Sequence, residues 1–289
     1  MGDSDAWRGV EGPGGLSFLG HLADVDLFDV VCRMRNVGFF GTQPVGVYTV
    51  ILVSGGGFLH RVHREESFVD TMSAVVVRPG DQLTVAHPAG FDDRSTVLQY
   101  AEEPYLDLAP GARQVSDDLF LRHRALVAAC RRGLDPVELA ERIDLLVHAL
   151  AAPERSARRD GRTMRFGTRQ VHRRMVDRTV EALGDGGYRR GLDELATIAG
   201  ASRHHLSRVF QAVTGMTVTA YRNRLRVRAV LADIQQGAPN LRELAHAYGF
   251  ADQAHLIRVV RGQFGRTPGE IRRLLNAGTA GDTAADACE

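Results

Sequence analysis

The stretch LDELATIAGASRHHLSRVF, residues 192–210, returns as LRELAHAYGFADQAHLIRVV, residues 241–260. The leading blocks are offset by 49 positions and the HLSRVF and HLIRVV blocks by 50, so the second copy carries one extra residue in its turn. Each copy reads as helix, tight turn, helix. Leu192, Leu195, Ala196 and Ala199 recur at i, i+3, i+4 and i+7, which is one face of a helix. The small side chain of Ala196 lets a second helix come close. Gly200 takes the positive φ that ends a helix sharply, and Ser202 caps the next one through its hydroxyl. In that next helix Leu206, Val209, Phe210 and Val213 face inward, leaving Arg203, His204, Ser207, Arg208 and Gln211 outside. The second copy repeats the plan with Ala245, Gly249, an Asp252 cap and the inward Leu256, Val259 and Phe264. Gln253, His255, Arg258 and Arg261 are its outward residues. One such hairpin is a weak signal; two with matching turn, core and outward positions are a strong one.

Residues 217–235 lie between the copies and read as one long helix with Tyr221, Leu225, Ala229 and Ala232 as its inner stripe. Arg222 with Arg226 and Arg224 with Arg228 form i,i+4 pairs on two sides, one suited to phosphate and the other to solvent or acids. A rigid helix there fixes the separation of the two units. Two recognition helices entering successive major grooves need about 34 Å between them.

The net charge of +1 conceals an imbalance. Residues 161–276 hold 20 arginines against 9 acids, a balance of +11, while the remainder balances at −10. A basic region beside an acidic one points to a polyanionic partner for the basic region alone. All 36 basic residues are arginine. The longest apolar runs, such as residues 48–53 and 74–77, are strand-length and cannot span a bilayer. Cys32, Cys130 and Cys288 are odd in number and widely spaced; they suggest neither a disulfide framework nor a metal-ligand pattern, and a reducing cytoplasm is expected.

Residues 1–24 read as an N-terminal extension, 25–151 as a first domain, 152–167 as a linker, 168–275 as a helical domain and 276–289 as a disordered tail. In the first domain seven short strands are expected at 28–35, 46–53, 58–62, 67–71, 74–78, 82–87 and 95–100, separated by Gly/Pro breaks. That spacing argues for a small barrel or sandwich. Two helices follow, 117–131 with Ser116 as cap, and 137–151 after Pro136. Leu139, Ile143, Leu146, Val147 and Leu150 form a stripe on the second, to be buried against the barrel or against a second copy. The fold class is therefore α+β in two domains: a small β-barrel with two helices, then an all-α domain of two helix-turn-helix units joined by a long helix.

Residues 171–275 resemble the DNA-binding domain of the AraC/XylS family of bacterial regulators. The likeness is carried by Gly249, Phe250, Asp252, Gln253, His255, Arg258, Phe264, Gly265 and Pro268. Ser202, His205, Leu206, Arg208, Phe210, Gly215, Tyr221, Leu225 and Arg226 add to it. Leu256, Val260 and Ile271 depart from the family's aromatic preferences, Ile257 replaces a small polar residue, and Gly262 sits mid-helix at about 1 kcal/mol relative to alanine. The resemblance implies that Arg203, His204, Ser207 and Arg208 of the first unit meet DNA, with Gln253, Ala254, His255 and Arg258 of the second; Arg261 also faces outward. Arginine reads guanine and glutamine reads adenine, each through paired hydrogen bonds. The first unit is expected to supply more of the specificity. Residues 25–105 are similar to the cupin-like barrel many of these regulators carry, through FLHRV at 58–62, RPGD at 78–81 and VAHPAGFDDRSTVL at 85–98. The implied partners are double-stranded promoter DNA, RNA polymerase for an activator, a small-molecule effector in the barrel and a second copy in a homodimer.

A cupin metal site wants His-x-His and a glutamate. Here His60 and His63 are three apart, which puts them on opposite faces of a strand, with His87, Glu65 and Glu66 nearby. No metal, cofactor or enzymatic activity is expected, and there is no phosphate loop, nucleophile elbow or paired-carboxylate motif.

Overall fold

A computed structural model describes residues 15–276, apart from 23, 34–37, 42–43, 63–64, 88–91, 103, 105–107, 134, 153–165, 185 and 239. The N-terminal half is built from nine strands, β1 (Gly15–Leu22), β2 (Val25–Cys32), β3 (Tyr48–Gly55), β4 (Gly57–Val62), β5 (Glu65–Asp70), β6 (Ser73–Val77), β7 (Leu83–Ala86), β8 (Asp93–Tyr100) and β9 (Gly111–Gln114). They pair antiparallel as a six-stranded sheet, β1-β2-β8-β3-β6-β9, and a three-stranded sheet, β5-β4-β7. The expected barrel thus takes the form of two sheets, hydrogen-bonded separately among the described strands.

The large sheet is buried on both faces, and its sequence shows why alternation was hard to see. Ile51, Val53, Val75, Val77 and Val97 point to the small sheet, where Phe58, Val62, Val69 and Leu83 meet them. Their neighbours Val50, Leu52, Ala74, Val76 and Leu98 point the other way, against the helices α1 (Asp117–Cys130) and α2 (Pro136–Ala151). A strand covered on both sides reads as a continuous apolar run. Ser116 caps α1, its hydroxyl accepting from Leu119 N, and Pro136 opens α2. The α2 stripe of Leu139, Ile143, Leu146, Val147 and Leu150 is buried inside this chain, so it is not a free surface for a second copy.

Two strands were not foreseen. Residues 15–22, read as part of an extension, form β1, and 111–114 form β9; both are edges of the large sheet. Their residues are exposed or half-buried throughout, so they carry little apolar signal. The strand expected at 28–35 runs instead from Val25, and the one expected at 67–71 from Glu65 to Asp70. Most of the expected linker and the tail beyond Asn276 lie outside the described residues; the linker's last two positions already belong to a helix.

That helix is α3 (Phe166–Gly184), followed by α4 (Leu192–Ala199), α5 (Arg203–Thr214), α6 (Val218–Gln235), α7 (Leu241–Ala247), α8 (Gln253–Phe264) and α9 (Pro268–Asn276). The two domains read from the sequence share their cores. One cluster runs from the large sheet and α1–α2 into Val227, Leu231, Leu256, Val260 and Ile271. Another joins Phe68 and Met72 to α3–α6, including Leu195, Leu206 and Phe210. This is why α6 is buried on more than its expected stripe: Val227, Val230, Leu231 and Ile234 belong to the cluster shared by the N-terminal half and the second unit, while Ala229 and Ala232 are only half-buried.

Polar contacts pin the same junction. Arg228, fully buried, donates to Thr71 O, to Val115 O at 2.9 Å and to Asp117 Oδ1 at 2.9 Å. Arg224 lies 3.3 Å from Asp117 Oδ2, and Gln263 of α8 donates to Asp117 Oδ1 at 2.9 Å. Tyr221 donates its hydroxyl to Asp70 Oδ2 at 2.9 Å, and Phe68 N donates to Asp177 Oδ1 at 3.1 Å. Burial pushes the Asp70 carboxyl up to about 6, although Met72 N, Tyr221 and Arg228 favour its charge. The unfolded chain then releases this proton first as pH rises, so Asp70 contributes stability below about pH 4 that is lost by about pH 6. Two pKa units correspond to about 3 kcal/mol. The stability difference between wild type and Asp70→Asn should therefore fall by roughly that amount from pH 4 to 6 in denaturant titrations; a difference independent of pH would refute it.

Candidate nucleic-acid interface

Both helix-turn-helix units are present, as α4–α5 and α7–α8. Gly200 and Gly249 have φ of 71° and 72°, the left-handed conformation that a tight interhelical turn needs. A side chain at Gly249 would also meet Arg189 and Arg226 at 3.2 Å. Ser202 Oγ accepts from His205 N at 3.3 Å, and Asp252 Oδ1 accepts from His255 N at 2.6 Å. The caps are equivalent, and the first residues of α5 and α8, Arg203 and His204 and Gln253 and Ala254, are exposed. Inside, Leu195, Ala196, Ala199, Leu206, Val209 and Phe210 are buried in the first unit, and Leu244, Ala245, Leu256 and Val260 in the second. Leu192, expected in the core, is exposed at the start of its helix, and Val259 and Phe264 are only partly buried.

The outward residues separate by exposure. Arg203, His204 and Arg208 on α5, and Gln253, Ala254, Arg258 and Arg261 on α8, are exposed; Ser207 and His255 are half-buried. Among the described residues Arg208 and Arg258 have no acidic partner within ion-pair distance. Arg203 makes only a long 3.8 Å approach to exposed Asp193. His255 is partly structural: its Nδ1 accepts from Ala251 N at 3.3 Å and its ring meets Phe250 edge-on at 5.6 Å. His205 likewise turns its ring against His172. Gly262, exposed with open space around it and an ordinary helical backbone, leaves α8 weaker than it need be. Gly262→Ala should raise stability by about 0.5–1 kcal/mol in chemical denaturation; a loss would mean that the position is constrained.

Neither arginine pair of the connecting helix is free for phosphate, contrary to the sequence reading. Arg222 donates to Arg190 O at 2.9 Å, and Arg226 to Tyr188 O while lying 5.8 Å from the Phe250 ring centre. Arg224 and Arg228 pair with Asp117, the acid option. These arginines hold the two units and the N-terminal half together. The partners were not legible, because they lie more than thirty residues away in sequence or in the other half.

The histidines of the N-terminal half fall differently from the cupin pattern. His60 is buried, its Nδ1 lies 3.0 Å from Ser67 O, and burial lowers it to about 4. His63 lies outside the described residues. His87 is pulled down by burial, yet Asp93 and Cys32 outweigh that and hold it up at about 9. Cys32 was not foreseen as a neighbour, since only the pairing of β2 with β8 places it opposite Asp93. No helix is long and apolar enough to cross a membrane among the described residues. A cleft of about 600 Å³ opens between α1, α2 and the second unit, lined by Arg122, Arg142, Gln263 and Arg266.

A family profile described as "Helix-turn-helix domain" matches residues 195–274. The HTH-type transcriptional regulator GlxA of Rhizobium meliloti is 28% identical over 186 residues, 57% of this chain and 56% of that protein, so the chain spans about half the length of this relative. The probable transcription factor PqrA of Proteus vulgaris is 30% identical over 92 residues, 32% of this chain and 73% of that protein. Among solved structures, an AraC-type DNA-binding regulator from Chromobacterium violaceum covers 36% of this chain and 95% of its own, with 24% identity and a TM-score of 0.34. Paired units with matching turns, caps and exposed cationic faces, together with the family profile and the GlxA and PqrA relatives, establish that the chain belongs to the AraC/XylS family of transcriptional regulators.

Proposed function

We propose that α5 and α8 enter successive major grooves of double-stranded promoter DNA, with Arg203, His204, Ser207 and Arg208 reading one site and Gln253, Ala254, His255, Arg258 and Arg261 the next. The observation that carries this reading is two capped helices whose exposed faces hold Arg208 and Arg258, neither with an acidic partner among the described residues. The +11 balance of residues 161–276 supplies the phosphate attraction. Phosphate contacts set register and base contacts set sequence. The shared core with the N-terminal half supports a further step: that half holds the second unit through Asp117, so an effector bound there would shift the spacing of α5 and α8. RNA polymerase is the second partner if the chain activates, and the cytoplasm is its compartment.

Selection of bound DNA from a random pool by the full chain should return two short blocks about 10 base pairs apart, with affinity falling steeply as salt rises. Recovery of a single block, or salt-insensitive binding, would contradict the reading. Arg208→Ala should weaken specific binding by about 1–3 kcal/mol and relax preference at one position of the first block. A uniform loss across sequences would make Arg208 a phosphate contact.

A further inference from the structure

The two sheets of the N-terminal half meet around a polar cluster that DNA binding does not use. Cys32, at the end of β2, is paired directly with Asp93, at the start of β8. His87 follows β7 and reaches the same place from the small sheet. The relative exposures are 8%, 3% and 4%, so all three groups are buried. One potential ligand atom from each lies within 4.8 Å of the other two. His87 Nε2 is 2.7 Å from Asp93 Oδ1. Phe40 stacks on the imidazole at 5.7 Å and Phe58 packs at 6.0 Å, which excludes water from its faces. The buried polar groups here bond chiefly to one another: Cys32 to His87, and His87 and Ser95 to Asp93.

A buried thiol, imidazole and carboxylate gathered this closely form a donor set that one metal ion can bridge. The chemistry of the set is selective. A thiolate with an imidazole and a carboxylate is a borderline-soft donor combination that suits zinc, whereas magnesium and calcium take oxygen donors. Zinc–ligand bonds of about 2.0–2.3 Å in tetrahedral geometry put ligand atoms about 3.3–3.8 Å apart. To hold an ion, His87 Nε2 and Asp93 Oδ1 would part from 2.7 Å to that spacing, and the ligand atom of Cys32, within 4.8 Å of both residues' ligand atoms, would need little movement.

We propose that Cys32, His87 and Asp93 form a binding site for one Zn²⁺ ion between the two sheets. Three protein ligands leave the fourth coordination position open to water or to a donor atom of a small molecule. The ion ties the small sheet, which also contacts α3 and α6 through Phe68 and Asp70, to the large one.

The test uses the full chain, stripped with a chelator and titrated with Co²⁺ as the spectroscopic probe. One equivalent should bind, give a sulfur-to-cobalt charge-transfer band in the near ultraviolet, and be displaced by one equivalent of Zn²⁺. Cys32→Ser should abolish the band, while Cys130→Ser keeps it. Asp93→Asn should weaken zinc binding at least about 10-fold. Protection of Cys32 from iodoacetamide by Zn²⁺, read by mass spectrometry on the unmutated chain, does not depend on any variant folding. Substoichiometric uptake by the unmutated chain, a charge-transfer band that survives Cys32→Ser, or labelling of Cys32 unchanged by zinc would each overturn the proposal. In that case the cluster is a hydrogen-bonded thiol–imidazole–carboxylate set without metal.

Discussion

Replacing Arg228 by alanine is expected to lower the unfolding free energy by about 3–5 kcal/mol, the range for breaking a buried ion pair by removing one partner. The guanidinium is wholly buried, lies 4.6 Å from the Phe120 ring centre and serves two backbone carbonyls as well as Asp117. Alanine leaves Thr71 O and Val115 O without these bonds and removes one of the cations facing the Asp117 carboxylate. Arg224 and Gln263 remain near Asp117 and soften the loss. Urea unfolding of the variant checks the figure, and an Arg228/Asp117 double-mutant cycle should show coupling of about 0.5–3 kcal/mol. A change under 1 kcal/mol would mean that the junction between α6 and the N-terminal half does not hold the fold.

The second large effect is expected at Phe210. Its ring is fully buried in the first unit and meets Tyr221 edge-on at 5.3 Å. Phe210→Ala should cost about 3–5 kcal/mol through lost burial and the cavity left behind. The equivalent position in the second unit is Val260, also fully buried. Val260→Ala removes two carbons, about 1.6 kcal/mol at 0.8 kcal/mol per buried methylene, before any cavity contribution. Thermal or urea denaturation of the two variants should therefore rank Phe210→Ala as the more damaging. The reverse ranking would show that the smaller second core carries more of the fold than its residues suggest.

The contrast between Phe210 and Val260 also shows what could be read from the sequence. The helical repeat was legible because turn glycine, cap and inward positions are local features, and local spacing encodes them directly. Ser202 and Asp252 cap where their positions imply, and Gly200 and Gly249 turn the chain. The arginines of α6 were not legible, since nothing within the helix distinguishes Arg228, bonded across to Val115, from a solvated arginine. In the sheets, residues 46–53 and 74–78 were seen as strands, but β1 and β9 were missed because edge strands do not need an apolar face. The meeting of Cys32 with His87 and Asp93 depends on strand pairing between residues more than fifty positions apart. Of the outward residues, spacing placed Arg208 and Arg258 correctly on the exposed faces.

The central claim is that two recognition helices read DNA, the first more strongly than the second. It is tested most directly by comparing Arg208→Ala with Arg258→Ala on one selected operator in which each base pair is varied in turn. Each variant should relax preference in a different block, the blocks about 10 base pairs apart, with the larger loss, about 1–3 kcal/mol, for Arg208. Relaxation in the same block by both variants, or no change in preference for either, would contradict it.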